Sequence, residues 1–277
     1  MSEAQEDASL SRWIELDGAE NVRDLGGLPT VHGRVVQPRR LIRSDSLQGL
    51  SEKDVRHLVD DLGVRAVADL RTGVEVSSEG PGPITREPSV EVRHLSLFPE
   101  AGDNTDAVAA EDDDGPVVLP WQGPKRSIDE SDRRRGASGV YLSYLDDRAD
   151  SVIDALRLIA GTEGATVVHC AAGKDRTGVV VALALAEVGV ERDAIIEDYA
   201  LSGERIEAII NRLSARKTYA SDLDAGTVNF DRHKPRAETM ARLLDVVDEF
   251  YGGVPAWLRA HGWTEEDAAA LRHKLLD

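Results

Sequence analysis

The sequence predicts an α/β fold, with a mainly parallel central sheet flanked by helices. Two observations carry that expectation. Short apolar segments of strand character, such as Val64–Leu70 and Ala165–His169, alternate with longer segments of helical periodicity. The chain has 277 residues, 41% hydrophobic and 30% charged, which is enough to bury a proper core. No internal repeat and no clear boundary interrupts the pattern. The expectation is therefore one domain over residues 1–277: N-terminal strands and a helix in 12–100, a flexible acidic loop in 101–136, a central part in 137–200 and C-terminal helices in 201–277.

Taken in order, residues 12–36 read as strands and turns, with Trp13–Leu16 as a strand and Leu25-Gly26-Gly27-Leu28-Pro29 as a turn. Ser51-Glu52-Lys53-Asp54 is a capping-box variant opening a helix through Val55, Leu58, Val59 and Leu62, which Gly63 can end in the left-handed conformation. Val64–Leu70 is a strand with Arg71 at its end. Between Glu100 and Gly136 periodicity stops, and the runs Glu111–Asp114 and Arg133–Arg135 mark a long loop. Helical spacing returns at Val140–Leu145 and Ser151–Ile159. The buried strand Ala165–His169 then leads into Cys170, and Thr177–Val188 is an apolar helix ended by Gly189. Further helices are expected over Asp193–Leu201, Glu204–Ala215, Arg236–Phe250 and Thr264–Leu276.

The formal net charge of −18 restricts the partners. Binding to nucleic acid or to an anionic membrane rests on many Lys and Arg contacts, so no nucleic acid and no stable membrane association is expected. A phosphate site in such a chain must be a local positive pocket in a negative field. The longest apolar run, Val179–Ala186, is too short to cross a bilayer, and Met1–Leu10 does not read as a secretion signal. One cysteine excludes an internal disulfide, so a cytoplasmic location is the expectation, with signal-less export left open. The histidines are scattered without ligand spacing; no metal and no cofactor is implied.

The chemistry concentrates in His169-Cys170-Ala171-Ala172-Gly173-Lys174-Asp175-Arg176-Thr177-Gly178. A strand, a tight turn and a helix start make an anion site on physical grounds. Successive N–H groups of the turn can converge on one centre, and the helix N-terminus adds positive potential. Arg176 supplies a planar fork that can grip two phosphate oxygens. A cysteine under the same potential is favoured as thiolate, and a thiolate facing a bound phosphate is placed for in-line attack.

His-Cys-x5-Arg-Thr-Gly is the signature of the protein tyrosine phosphatase superfamily, which this loop resembles at every defining position. With Gly-Lys-Asp-Arg inside it, the loop is similar to that of the bacterial tyrosine/serine phosphatases. Asn21-Val22-Arg23-Asp24-Leu25-Gly26-Gly27, Leu41-Ile42-Arg43-Ser44-Asp45 and Asp69-Leu70-Arg71-x3-Glu75 match further blocks of that family in order. Most of the chain is covered, with Glu100–Gly136 the divergent part. The resemblance implies a phosphatase-like fold with a helical lid. It implies a cysteine-dependent phosphatase acting on phosphotyrosine, with phosphoserine and phosphothreonine as further substrates, through a cysteinyl-phosphate intermediate. Cys170 would be the nucleophile, Arg176 the catalytic cation, and Ala171, Ala172, Gly173, Lys174 and Thr177 phosphate ligands. The Thr177 hydroxyl would also help the thiolate leave. None of Trp13, Trp121, Trp257 or Trp263 is followed by Pro-Asp, so the mobile acid loop of larger relatives is missing. The resemblance then points to Asp175 as general acid, with Asp69 as runner-up.

Several residues keep two readings. His169 is either a core histidine satisfied by backbone or an orienter of the loop that tunes the thiolate. Asp69 and Arg71 read more readily as structural, and Asn21, Arg23 and Asp24 as structural supports of the site. Ser202–Pro235 is either a movable cover or a core-packing helix, its face built from Ile206, Ile209, Ile210 and Leu213. The partner is a phosphorylated protein or a phosphoinositide, the latter because lipid phosphatases of the superfamily also carry a lysine where Lys174 stands. A phosphate-binding pseudoenzyme is disfavoured by the presence of Cys170, Asp175 and Arg176 together. A sulfurtransferase does not require the Arg-Thr-Gly ending, and an arsenate reductase normally needs more cysteines.

Overall fold

The computed structural model describes residues 12–99, 119, 138–220, 223 and 229–277; the acidic loop expected over 101–136 lies outside the described residues apart from Leu119. Five strands form one sheet: β1 (Arg23–Asp24), β2 (Leu41–Ser44), β3 (Val64–Asp69), β4 (Glu91–His94) and β5 (Ala165–His169), in the order β1-β2-β5-β3-β4. β1 runs antiparallel to β2, and the other three pairings are parallel. His169 at the end of β5 stands level with Ser44 of β2 and Asp69 of β3. Three carboxyl ends therefore meet where Cys170 begins, the edge at which parallel sheets place their sites.

The helices are α1 (Glu52–Arg56), α2 (Gly73–Glu79), α3 (Ser138–Asp147), α4 (Ala149–Gly161), α5 (Asp175–Glu187), α6 (Arg192–Leu201), α7 (Ile206–Ser214), α8 (Phe230–His233), α9 (Ala237–Tyr251), α10 (Val254–Ala260) and α11 (Glu265–Leu276). The two-residue period of the strands divides them between two cores. Leu41, Ala66, Ala68 and Val168 pack with Leu156, Leu183, Leu243, Trp257 and Leu271 of the helices on one face. Ile42, Val67 and Val167 pack with Val55, Leu58 and Ile84 on the other. The helix α5 is buried continuously from Arg176 to Leu185, so its N-terminus is fixed from every side.

Local signals explain most boundaries. At α1, Ser51 Oγ accepts from Asp54 N–H at 3.1 Å and the Asp54 carboxylate accepts from Ser51 N–H at 2.9 Å. The helix continues as a π turn over His57–Asp61, and Gly63 follows at φ +71°. Two expectations need correction. Trp13–Leu16 is no strand: Trp13 makes a single bridge to Arg23, because its partner β1 is only two residues long. The helix after residues 170–174 begins at Asp175, two residues before the expected Thr177, so Arg176 lies inside its first turn. The segments α2, β4 and α10 carry no sequence expectation; β4 is exposed along its whole length and so lacks an apolar stripe. Among the described residues no helix is long and apolar enough to cross a membrane.

Candidate active site

Residues 170–174 run from the end of β5 into α5, with Cys170 only 2% exposed. The loop carbonyls are each held by a donor outside the loop or by the following helix. Ala171 O accepts from Ser46 N–H at 3.0 Å, and Ala172 O from Asn21 Nδ2 at 2.9 Å. Gly173 O accepts from Arg43 Nη2 at 2.8 Å and Asn21 Nδ2 at 3.1 Å, and Lys174 O from Gly178 N–H at 2.9 Å. In a trans peptide the N–H points opposite to the carbonyl, and no peptide bond among the described residues is cis. Anchoring these four carbonyls therefore turns the N–H groups of Ala172, Gly173, Lys174 and Asp175 toward the space the loop encloses. Gly173 has φ +64°, and a Cβ there would lie 2.4 Å from Ser44 O, so both conformation and contact require glycine.

Arg176 is buried and meets Glu75 end-on, Nη1 to Oε2 at 2.5 Å and Nη2 to Oε1 at 2.9 Å. Burial opposes its charge, but the facing carboxylate overrides burial and holds the guanidinium well above its usual range. Burial likewise pushes Glu75 up, and Arg176 brings its carboxyl below the usual value. Glu75 reaches this place because Thr72 caps α2 and Glu75 accepts the Thr72 N–H at 2.7 Å. The Arg176 guanidinium also lies over the Phe98 ring at 5.7 Å.

Asp175 opens α5 with its carboxylate accepting from the Tyr141 hydroxyl and 3.4 Å from Lys174 Nζ. Tyr141 in turn lies 2.7 Å from the Tyr199 hydroxyl. Lys174 Nζ donates to His233 O of α8 at 2.8 Å. Thr177 is fully buried, and its hydroxyl finds no partner among the described residues.

His169 is buried, with Nδ1 3.3 Å from Cys170 O and Nε2 3.6 Å from Asp69 Oδ1. Burial, joined by the charges of Arg71 and Arg176, lowers it to about 4 against the pull of Asp69. Asp69 is held on both oxygens by Arg71, at 2.9 Å from Nε and 2.6 Å from Nη2. Burial alone would raise the Asp69 carboxyl, but His169 and Arg71 hold it far below its usual range. A cavity of about 340 Å³ has Asp69, Arg71 and His169 in its lining but none of residues 170–176, so it is separate from the loop interior.

The N-terminal block divides. Asn21 touches the loop directly, and Arg23 fixes Asn21 by donating to its Oδ1 at 2.7 Å. Asp24 does not reach the loop; its carboxylate accepts from Gly26 N–H at 2.9 Å and Arg39 N–H at 2.7 Å. Five residues escaped the sequence reading as site members: Arg43, Glu75, Asp198, Tyr141 and Tyr199. Asp198 carries a legible signal, since Ile195, Asp198 and Tyr199 have i, i+3, i+4 spacing and put a carboxylate on the buried face of α6. Over the loop, Ile206, Ile209, Ile210 and Leu213 of α7 pack with Ala171, Tyr219 and Leu223, and with Ala172 and Phe230 at the margin.

A mainly parallel sheet that ends at a buried cysteine, followed by a tight turn and an arginine fixed by a carboxylate, fits the class of cysteine-based phosphatases. Comparison with known proteins agrees. Residues 14–277 match the tyrosine phosphatase family. A triple specificity protein phosphatase, PtpB, from Mycobacterium tuberculosis is 31% identical over 95% of this chain and 98% of its own length. A tyrosine-protein phosphatase from Nostoc commune is 25% identical over 89% of this chain and 78% of its own. The chain belongs to the tyrosine phosphatase family and is a hydrolase of phosphate monoesters.

Proposed function

We propose that the enzyme hydrolyses phosphotyrosine in proteins, and phosphoserine and phosphothreonine as well, with Cys170 as its nucleophile. The observation that carries this reading is the outward anchoring of the carbonyls of residues 171–174, which leaves four N–H groups to surround one tetrahedral anion. Arg176, its plane set by Glu75, supplies further donors to the phosphate oxygens. The Cys170 thiolate attacks phosphorus, an S–P bond forms, and the P–O bond to the leaving group breaks. Asp175 protonates the departing oxygen. Water, deprotonated by the same carboxylate, then attacks phosphorus, the S–P bond breaks, and inorganic phosphate leaves with the thiolate restored. The buried, unpartnered Thr177 hydroxyl supports a donor role toward that departing sulfur.

Asp69 is the poorer candidate for proton donor, because His169 and Arg71 keep it ionised and Arg71 occupies both its oxygens. The mycobacterial relative is named for triple specificity, which supports a range wider than phosphotyrosine. A single cysteine that must stay reduced supports action in a reducing, cytoplasmic compartment. The packing of α7 on Ala171 and Ala172, with Lys174 tied to the end of α8, supports a helical lid that must move for substrate to reach Cys170.

The test is Cys170→Ser with an aryl phosphate. Turnover is expected to fall by about a thousandfold or more, because the serine hydroxyl stays protonated, while inorganic phosphate still binds within about threefold. Turnover within about tenfold of the parent would overturn the nucleophile assignment.

A further inference from the structure

We infer that Asp198, on α6 and outside the loop, is the positioning residue that sets the loop's N–H groups in place through two buried arginines. The inference rests on the reading that residues 170–176 hold the substrate phosphate.

Asp198 is 1% exposed and accepts from three guanidinium groups: Arg12 Nη1 at 2.9 Å, Arg23 Nε at 3.1 Å and Arg43 Nη1 at 2.7 Å. Its backbone carbonyl also accepts from Arg23 Nη2 at 2.6 Å. Both inner arginines pass the constraint to the loop. Arg43 uses Nη1 for Asp198 and Nη2 for Gly173 O at 2.8 Å, with Lys174 O at 3.4 Å. Arg23 uses Nη1 for Asn21 Oδ1, and this choice matters because an amide can present either end. With Oδ1 engaged by Arg23, Asn21 must present Nδ2 to the loop, where it donates to Ala172 O and Gly173 O. Two of the carbonyls whose outward direction turns the N–H groups inward are thus held by side chains that Asp198 fixes.

The charge balance shows why one carboxylate is needed. Arg23 and Arg43 are almost wholly buried, and Asp198 is the carboxylate both of them contact. Burial lowers Arg23 to about 9, with the charge of Arg43 adding to the effect. Burial would push Asp198 up, but Arg23, Arg43 and Arg12 keep it ionised. Without that charge the two guanidiniums repel, and neither keeps its angle toward the loop.

The experiment compares Asp198→Asn, Arg43→Lys and Asn21→Asp, each with Cys170 intact and each in a Cys170→Ser background. Arg43→Lys keeps a charge beside Asp198 but removes the second nitrogen that reaches Gly173 O, and it serves if Asp198→Asn fails to fold. Asn21→Asp replaces the donor facing the loop with an acceptor. Inorganic phosphate affinity is measured by calorimetry in the serine background, kcat and KM on an aryl phosphate with cysteine present, and folding by thermal melts. Expected are phosphate affinity about tenfold weaker or more, a fall in kcat beyond any rise in KM, and losses in the Asp198→Asn, Asn21→Asp double variant smaller than the product of the singles. Lower melting temperature with unchanged phosphate affinity and kcat would overturn the inference and leave Asp198 a fold residue. If Cys170→Ser alone keeps turnover, the nucleophile reading fails, whereas the phosphate titrations still decide the role of Asp198.

Discussion

Glu75 meets Arg176 end-on, with Oε2 2.5 Å from Nη1 and Oε1 2.9 Å from Nη2, and both side chains are buried. The same carboxylate accepts the Thr72 N–H that begins α2 and the Tyr219 hydroxyl at 3.0 Å. One acidic side chain therefore joins the end of β3, the arginine of the loop and the segment after α7. An end-on pair fixes the guanidinium plane, which is what a bidentate grip on phosphate requires.

Glu75→Gln keeps the size of the side chain and one oxygen, but presents an NH2 group to a buried cation. Breaking a buried pair from one side costs on the order of 3–5 kcal/mol. The expected outcome is a loss in kcat/KM on aryl phosphates of about a hundredfold, together with a lower melting temperature. If kcat/KM stays within about threefold while the melt falls, Glu75 supports the fold alone.

His169 gives a pH prediction with a definite sign. Its folded value of about 4 lies below the ordinary 6.5, chiefly through burial. The unfolded chain binds a proton first, so this contribution to stability is present above 6.5 and is lost as pH falls through about 4. Asp45 acts oppositely. Burial raises it from 3.8 to about 6 against the N–H bonds from Glu20 and Asn21, so its contribution is present below 3.8 and is lost as pH rises through about 6. His169→Asn removes the loss on acidification and leaves the opposite slope of Asp45, so the urea-unfolding stability of the variant relative to the parent should rise as pH falls from 6.5 to 4. An unchanged slope would place the proton elsewhere.

Opening the cover should expose the sulfur. Ile210 lies on the α7 face packed with Ala171, and Lys174 Nζ holds His233 O. Ile210→Ser removes apolar burial, and Lys174→Ala removes the tie. Both should speed alkylation of Cys170 by iodoacetamide, about tenfold for an opened site, and lower KM more for bulky phosphopeptides than for a small aryl phosphate. Unchanged alkylation in both variants would show that α7 and α8 are fixed packing.

What was legible in the sequence follows how local the signal is. The strand Ala165–His169 and the helix after the loop are continuous apolar runs, and the capping at Ser51 is written in four adjacent residues. The candidate loop was legible because one uninterrupted segment holds its sulfur, its N–H groups and its arginine. Glu75 meets Arg176 across 101 residues and Asp198 meets Arg43 across 155; the i, i+3, i+4 spacing of Ile195, Asp198 and Tyr199 reports that Asp198 is buried, but no local periodicity names either partner. The partial strand at Trp13 failed for the opposite reason. Its composition suits a strand, but β1 offers a partner of only two residues, and pairing is a property of two segments.

Asp175 is the candidate general acid, and its surroundings sharpen the test. Its carboxylate accepts from the Tyr141 hydroxyl and lies 3.4 Å from the Lys174 ammonium. Asp69 offers no alternative route while Arg71 holds both its oxygens. Asp175→Asn should therefore cost little with an aryl leaving group of low basicity and about a hundredfold or more with alkyl or phenolic groups of high basicity, steepening the dependence of kcat on leaving-group pKa. Tyr141→Phe, which removes one donor to the Asp175 carboxylate, should leave that dependence no steeper than in the parent. A uniform loss across the leaving-group series in Asp175→Asn would show that the carboxylate builds the loop with Tyr141 and Lys174 and does not donate the proton.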